Sequence, residues 1–292
     1  MKSYVKSLLP LVPPIYTEEE VHFNQWLAGF VDGDGYFEIQ GNFCRFSMPQ
    51  ATWNLHLLVL LQSRFGGKLT KVPKKPNTYR YDLTNETGQL IELAHAVNRE
   101  IRGVSRAAQF TKLCAVYNIT HIEPGPVTLQ NAYTSGLIDS DGSVACQTKK
   151  VQVKVTAEHP ADLQYLVLLF GGNITKRLDA NCTFDWKIGS QADVLFLKKY
   201  LLDFPLKSNK LVRTSLFEEY YRLKSIGAWK ETSFYHYEWL VFLESWYDNG
   251  NDQYRKDCKE RPYTAVERAK REAEGGGKPG EVEAATAGER EE

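Results

Sequence analysis

The chain has 292 residues, 42% of them hydrophobic, enough to bury a sizeable core in one or two domains. Its 36 basic and 36 acidic residues cancel, which taken alone argues against a nucleic-acid partner, and no apolar run approaches the length of a membrane span. The 5 cysteines (Cys44, Cys114, Cys146, Cys182, Cys258) are scattered with no Cys-x-x-Cys pair, which excludes a disulfide or zinc framework and indicates a reducing compartment.

Residues 1–17 read as an extended lead-in. Leu8, Leu9, Leu11 and Val12 are interrupted by Pro10, Pro13 and Pro14, and no secretory cleavage pattern is evident. Thr17 and Glu20 form a capping box that opens a helix. That helix runs into Leu27-Ala28-Gly29-Phe30-Val31-Asp32-Gly33-Asp34-Gly35, with small residues on one face and an Asp-x-Asp-Gly end. Strand-like segments follow at 36–40 and 43–48, then a helix over about 54–64 that stops at Gly66-Gly67. Two strands flank residues 68–84, and helices cover about 88–100 and 104–120.

Pro126 and Thr128 precede a second motif helix, Thr134-Ser135-Gly136-Leu137-Ile138-Asp139-Ser140-Asp141-Gly142. The pattern then recurs: strands at 144–148 and 151–156, a helix over 161–170 ending at Gly171-Gly172, and strands flanking 174–188. Helices follow at 190–203 and 208–227. Trp229, Tyr235, Tyr237, Trp239, Phe242, Trp246 and Tyr247 make an aromatic-rich extension, read as a packing face rather than a base-stacking platform. Beyond about Ala269 the composition is that of a disordered acidic tail. His56 and His95 lie on helical stretches and read as structural.

Numbering shows a duplication. Asp34 and Asp141 are 107 positions apart, while Phe65-Gly66-Gly67 and Phe170-Gly171-Gly172 are 105 apart. The second offset also relates Tyr81 to Trp186, Leu90 to Leu195 and Arg102 to Lys207. A period this long is a domain duplication. Each copy reads as αββαββα, so the expected fold is α+β with antiparallel sheets. The expected boundaries are a lead-in at 1–17, a first unit at 18–123, a second at 124–227, the extension at 228–268 and the tail at 269–292.

Charge is local rather than global. Residues 64–81 carry Arg64, Lys68, Lys71, Lys74, Lys75 and Arg80 with no acid among them. Lys149, Lys150 and Lys154 share a strand pair, and Lys198, Lys199, Lys207, Lys210 and Arg213 follow near the end of the second copy. Such stripes can steer a polyanion although the total is neutral.

Leu27 to Gly35 and Thr134 to Gly142 resemble the two defining motifs of single-chain LAGLIDADG homing endonucleases. The similarity covers residues 18–227, including the two-strand ribbons and the Gly-Gly after the next helix. It implies two pseudo-twofold-related units whose sheets form a DNA-binding saddle. The motif helices would pack on each other at the axis through Gly29 and Gly136, beside Ala28 and Ser135.

By this resemblance, Asp34 and Asp141 bind the metal, Mg²⁺ or Mn²⁺, with the carbonyls of Gly33 and Ser140. Asp32 and Asp139 support the helix ends, Gln50 organises water, and Arg102 and Lys207 sit near the scissile phosphate, with Lys210 as the alternative to Lys207. Ala157 takes the position equivalent to Gln50 and cannot orient water, with Glu158 beside it. Counting in twos along the strands, the resemblance places Tyr36, Glu38, Gln40, Asn42, Arg45 and Ser47 on one DNA-reading face. Ser143, Ala145, Gln147, Lys149, Lys150, Gln152 and Lys154 fall on the other, while Lys71, Lys74, Lys75 and Arg80 reach toward DNA from the basic stretch.

The implied activity is a metal-dependent double-strand break by phosphodiester hydrolysis at a long asymmetric site, leaving short 3′ overhangs. The implied protein is an organellar (chloroplast or mitochondrial), intron-encoded monomer acting on double-stranded DNA, with no membrane partner. No splicing block and no targeting peptide are seen. The alternatives are a maturase that binds group I intron RNA, or a catalytically weakened DNA-binding protein of the same fold.

Overall fold

The computed structural model describes residues 14–41, 43–84, 88–147, 150–178 and 183–247, with the side chain of Gln147 left out. The expected roles of residues 1–13, Asn42, Lys149, Gln147's side chain and the 269–292 tail therefore lie outside what is described. Among the described residues no helix is long and apolar enough to cross a membrane. The chain divides into two compact units, Met1–Glu218 and Glu219–Glu292. Both sequence copies thus share one compact unit, and the division falls before residue 227 because the last helix of the second copy groups with the aromatic extension.

In the first unit, α1 (Glu18–Asp34) opens on the expected capping box, with the Glu20 amide donating to Thr17 Oγ1 at 3.3 Å and the Thr17 amide to Glu20 Oε2 at 3.0 Å. β1 (Tyr36–Gln40), β2 (Phe43–Ala51), β3 (Lys68–Lys71) and β4 (Thr78–Thr84) form an antiparallel sheet in the order β1-β2-β4-β3. Alternation sends Phe37, Cys44, Phe46, Met48, Tyr81 and Leu83 into the core. α2 (Leu55–Phe65), α3 (Gln89–Val97) and α4 (Val104–Tyr117) complete the first copy. α4 stops short of residue 120 at Asn118, whose φ of 55° ends the helix in the left-handed region.

The second copy repeats the order. α5 (Tyr133–Asp141) leads to β5 (Gly142–Gln147), β6 (Lys150–Ala157), β7 (Asn173–Lys176) and β8 (Phe184–Ile188), ordered β5-β6-β8-β7. Val144, Val151, Val153, Val155, Trp186 and Ile188 point inward. α6 (Ala161–Phe170) and α7 (Gln191–Asp203) match their expected positions. The single helix expected over 208–227 is instead α8 (Lys210–Ser215) and α9 (Phe217–Ser225), parted at Leu216. At the break Thr214 Oγ1 donates to the Leu211 carbonyl at 3.0 Å and Ser215 Oγ to the Val212 carbonyl at 2.7 Å.

In the second unit, α10 (His236–Tyr247) carries the aromatic stripe. Trp239 and Phe242 lie 5.9 and 6.1 Å from Tyr220, centroid to centroid, and Arg222 bridges Glu219 and Glu238. Trp239, Phe242 and Trp246 are buried in packing, whereas Tyr235 and Tyr237 of the same extension are exposed.

Candidate active site and nucleic-acid interface

The site begins with two glycines. A Cβ on Gly29 would strike the Tyr133 carbonyl, and one on Gly136 would strike the Trp26 carbonyl. Any side chain at either position would push α1 and α5 apart. Their bare backbones let the helices meet over buried Leu27, Ala28, Phe30 and Val31 on one side and Thr134, Ser135, Leu137 and Ile138 on the other. The two helices therefore end side by side, and a Cβ on Gly33 would come within 3.0 Å of Asp141 Oδ2.

The first acid of each motif is a latch. Asp32 accepts from the Arg102 and Gly103 amides at 2.7 and 2.9 Å and from the Tyr133 hydroxyl at 2.6 Å. Asp139 accepts from the Lys207 and Ser208 amides at 2.7 and 3.0 Å and from Trp26 Nε1 at 2.8 Å. Each carboxylate thus ties down the chain entering α4 or α8 of its own copy and reaches an aromatic donor on the other copy's motif helix. Burial raises the Asp32 pKa to about 6 although the bonds from Tyr133, Arg102 and Gly103 lower it.

The second acids face each other. Burial raises the pKa of Asp34 and, with the charge of Asp34, that of Asp141 to about 7. Gln50, on β2, donates to Asp34 Oδ2 at 2.5 Å and is steadied by Asn54 Nδ2 at 3.3 Å. Among the described residues no hydrogen bond reaches the Asp141 carboxylate, because Ala157 stands where the first copy has Gln50. Glu158 turns instead to Ser105, whose hydroxyl donates to it at 2.9 Å.

The cations flanking the acids are not the pair expected from the 105-residue offset. Arg102 and Lys207 are equivalent, but both stack on the latch aromatics. Arg102 lies 5.0 Å from the Tyr133 centroid and Lys207 Nζ 5.3 Å from the Trp26 centroid. Arg102 also pairs with Glu100 at 2.7 Å and donates to the Gly125 carbonyl. The structure does not bring either cation to the acid pair. The groups that feel both acids are Lys210, at the start of α8, and Arg106, on α4.

Lys210 Nζ donates to the carbonyls of Ile138, Asp139 and Ser140 at 2.9, 2.7 and 3.2 Å, capping the negative end of α5. Burial lowers its pKa, and Asp139, Asp34 and Asp141 oppose that. Arg106 is likewise lowered by burial and supported by Asp32, Asp141, Glu158 and Asp34, while its Nη1 donates to Gln109 at 2.7 Å. Lys210, the expected alternative to Lys207, lies three residues beyond the strict offset position. Arg106 had no offset partner of its own charge, since the position equivalent to it holds Leu211.

Among the described residues no cluster of three or more His, Cys, Asp or Glu could hold a metal alone. The donor set at the paired helix ends is two hard carboxylates, both raised by burial and Asp141 also by the charge of Asp34. That set suits a hard divalent cation completed by waters or phosphate oxygens. The Ser140 carbonyl is already shared with Lys210.

The outward faces of both sheets are polar and laddered. Arg45 pairs with Glu38 across β1 and β2 at 2.5 Å, and Gln40 donates to Glu38 at 2.7 Å. Ser47 donates to Asp82 at 2.5 Å, and Arg80 to Asp82 at 2.8 Å. Tyr36 is half exposed. On the second sheet Ser143, Lys150, Gln152 and Lys154 share the outward face with Thr156, Asp185 and Lys187. Lys71 ends β3, and Lys74 and Lys75 lie in the turn before β4, with Lys74 at φ 64°. Asp82, Asp185 and Lys187 escape a count started at the motif acids, because they lie on β4 and β8, far along the chain.

No family model matches the sequence. The chain is 35% identical over 248 residues to an intron-encoded RNA maturase, bI4, of Saccharomyces cerevisiae, covering 80% of this chain and 38% of the relative. It is 29% identical over 250 residues to a probable intron-encoded endonuclease, aI2, of Debaryomyces hansenii, with 78% and 38% covered. It thus spans well under half of these relatives. An intron-encoded DNA endonuclease, ai2a, of Dictyostelium discoideum is 26% identical over 241 residues, covering 77% of this chain and 75% of the relative.

Among solved structures, the I-LtrWI LAGLIDADG homing endonuclease bound to target DNA superposes with a TM-score of 0.52 at 14% identity, covering 78% of this chain and 97% of that one. I-SmaMI bound to uncleaved DNA in the presence of calcium ions superposes with a TM-score of 0.50 at 13% identity, covering 71% and 94%. Both motif helices pair at their glycines, the chain shares the fold of these LAGLIDADG homing endonucleases, and its sequence is similar to intron-encoded proteins.

Proposed function

We propose that the chain is a site-specific, divalent-metal-dependent DNA endonuclease that cuts both strands of a long asymmetric target as a monomer, leaving short 3′ overhangs. The observation that carries the reading is the convergence of Asp34 and Asp141, one from each copy, between the half-buried cations Lys210 and Arg106. One acid from each copy meets at a single site that serves both DNA strands. Mg²⁺ or Mn²⁺ held there would supply Lewis acidity and an activated water at neutral pH.

The chain's own residues do the rest. Lys210 and Arg106 place positive charge where negative charge develops on a phosphate. Gln50 fixes the orientation of Asp34 and lines the same half of the site. Asp141 has no such partner, so the two strands are cut at unequal rates. The outward sheet faces carry donors and acceptors suited to base edges, with Lys71, Lys74 and Lys75 set toward phosphates.

A second reading, an intron RNA maturase, is favoured by one finding: the relative at 35% identity is an RNA maturase. An organellar site of synthesis goes with either reading, since the relatives are intron-encoded. Cleavage of a randomised duplex library with Mg²⁺ separates the two. Metal-dependent recovery of one asymmetric site supports the nuclease. No cutting, together with tight binding to structured group I intron RNA, supports the maturase.

A further inference from the structure

The two sheets carry an acid–base pair in opposite order at equivalent positions. By the 105-residue offset, Arg80-Tyr81-Asp82 of β4 aligns with Asp185-Trp186-Lys187 of β8. Tyr81 and Trp186 both point into the core, so the flanking charges all stand on the outward faces. The rows across the sheets confirm the equivalence. Asp82 lies between Ser47 and Lys68, and Lys187 between Lys154 and Asn173. Arg80 lies between Pro49 and Thr70, and Asp185 between Thr156 and Thr175.

The acid of the second sheet is the more enclosed. The Asp185 side chain is 5% exposed, against 12% for Asp82. Its carboxylate accepts from Thr156 Oγ1 at 2.7 Å and lies 3.1 Å from Lys187 Nζ and 3.8 Å from Lys154 Nζ. Lys187 also donates to Thr175 Oγ1 at 3.2 Å. Burial alone would raise the carboxyl, yet the bonds from Thr156 and Lys187 and the charge of Lys154 leave its pKa below the ordinary value. A lysine on an exposed strand normally samples many rotamers. Here two ammonium groups from neighbouring strands are held beside one buried anion, each about a third exposed toward the outside.

We propose that Asp185 is a positioning residue for sequence readout: it fixes Lys154 and Lys187 as a paired donor over adjacent base pairs of the second half-site, selecting guanine there. This rests on the DNA-reading role proposed above for the sheets. Lysine offers only donors, and guanine presents two acceptors, O6 and N7, in the major groove. At the equivalent place in the first half-site the exposed cation is Arg80, held by Asp82 one row away. The inversion gives the half-sites different guanine positions at symmetry-related base pairs, a built-in source of asymmetry.

The test is selection of bound sites from a randomised duplex library by the full chain, as wild type, Asp185→Asn and Lys187→Met, with folding of each checked by thermal melting. Wild type is expected to prefer guanine at one or two base pairs of a single half-site. Asp185→Asn should reduce that preference roughly tenfold at those positions only, with affinity for unrelated duplex equal or higher because an anion is gone. Lys187→Met should reduce the preference at the same positions and lower general affinity.

If wild type selects a site and folded Asp185→Asn keeps its guanine preference, or loses preference uniformly across the whole site, the positioning role is overturned while the DNA-reading role stands. If wild type selects no duplex at all, both fall.

Discussion

Asp141→Asn should stabilise the metal-free protein. The folded-state pKa of Asp141, about 7, lies above the ordinary value of 3.8. Between those pH values the folded chain holds a proton that the unfolded chain releases, so stability falls as pH rises through the window. At about 1.4 kcal/mol per unit, the full shift costs the native state at most ~4 kcal/mol above neutral pH. Burial and the Asp34 charge are the causes, and asparagine removes the charge while keeping the shape.

Thermal or urea melts in chelator should therefore show Asp141→Asn more stable than wild type by ~2–4 kcal/mol near pH 8, with more than half of the gap gone by about pH 5. Mg²⁺ or Mn²⁺ should close the same gap at pH 8 by stabilising wild type, and do little for the variant. A variant equal to or less stable than wild type in chelator at pH 8, or a gap that widens on acidification, would refute the account of the paired acids.

Lys210→Met should lower the cleavage rate ~100-fold while target binding persists, read by single-turnover kinetics beside a binding assay. Lys207→Ala should leave the single-turnover rate near wild type and cost only about 0.5–1 kcal/mol of stability through the lost Trp26 contact, seen in urea melts. Gly136→Ala forces a methyl group into the Trp26 carbonyl, so a loss of at least ~2 kcal/mol in the same melts is expected, with loss of activity. Gln50→Ala should slow one strand more than the other, by roughly tenfold, and let a nicked intermediate accumulate, visible on strand-labelled DNA.

Much of the architecture is legible because duplication prints the same signals twice. The capping box at Thr17, the Gly-Gly stops after Phe65 and Phe170, and the alternating strands after each motif are local features, and local physics places them correctly. The closeness of the motif helices could be read from Gly29 and Gly136, since only a missing Cβ permits it.

Of the expected cations, Lys210 lies near the acids and the offset pair Arg102 and Lys207 does not, for a physical reason. The offset relates Arg102 to Lys207 correctly, yet those positions are helix entries, where the backbone amides serve Asp32 and Asp139 and the side chains lie on aromatic rings. The cations near the acid pair come from the first turns of α4 and α8, where the copies have drifted by a residue. Periodicity over 208–227 likewise hid the break at Leu216, since the amphipathic pattern continues across it. Asp82 and Asp185 could be found only once the sheet order placed β4 beside β2 and β8 beside β6.

The central claim is that one acid from each copy forms a single metal-dependent cutting site. Its most direct test is cleavage of a randomised duplex library in Mg²⁺ by wild type, Asp34→Asn and Asp141→Asn, with both strands mapped. The account predicts one asymmetric site cut on both strands by wild type and by neither variant, each of which still binds it. Cutting that survives both substitutions, or no metal-dependent cutting by folded wild type, would contradict it.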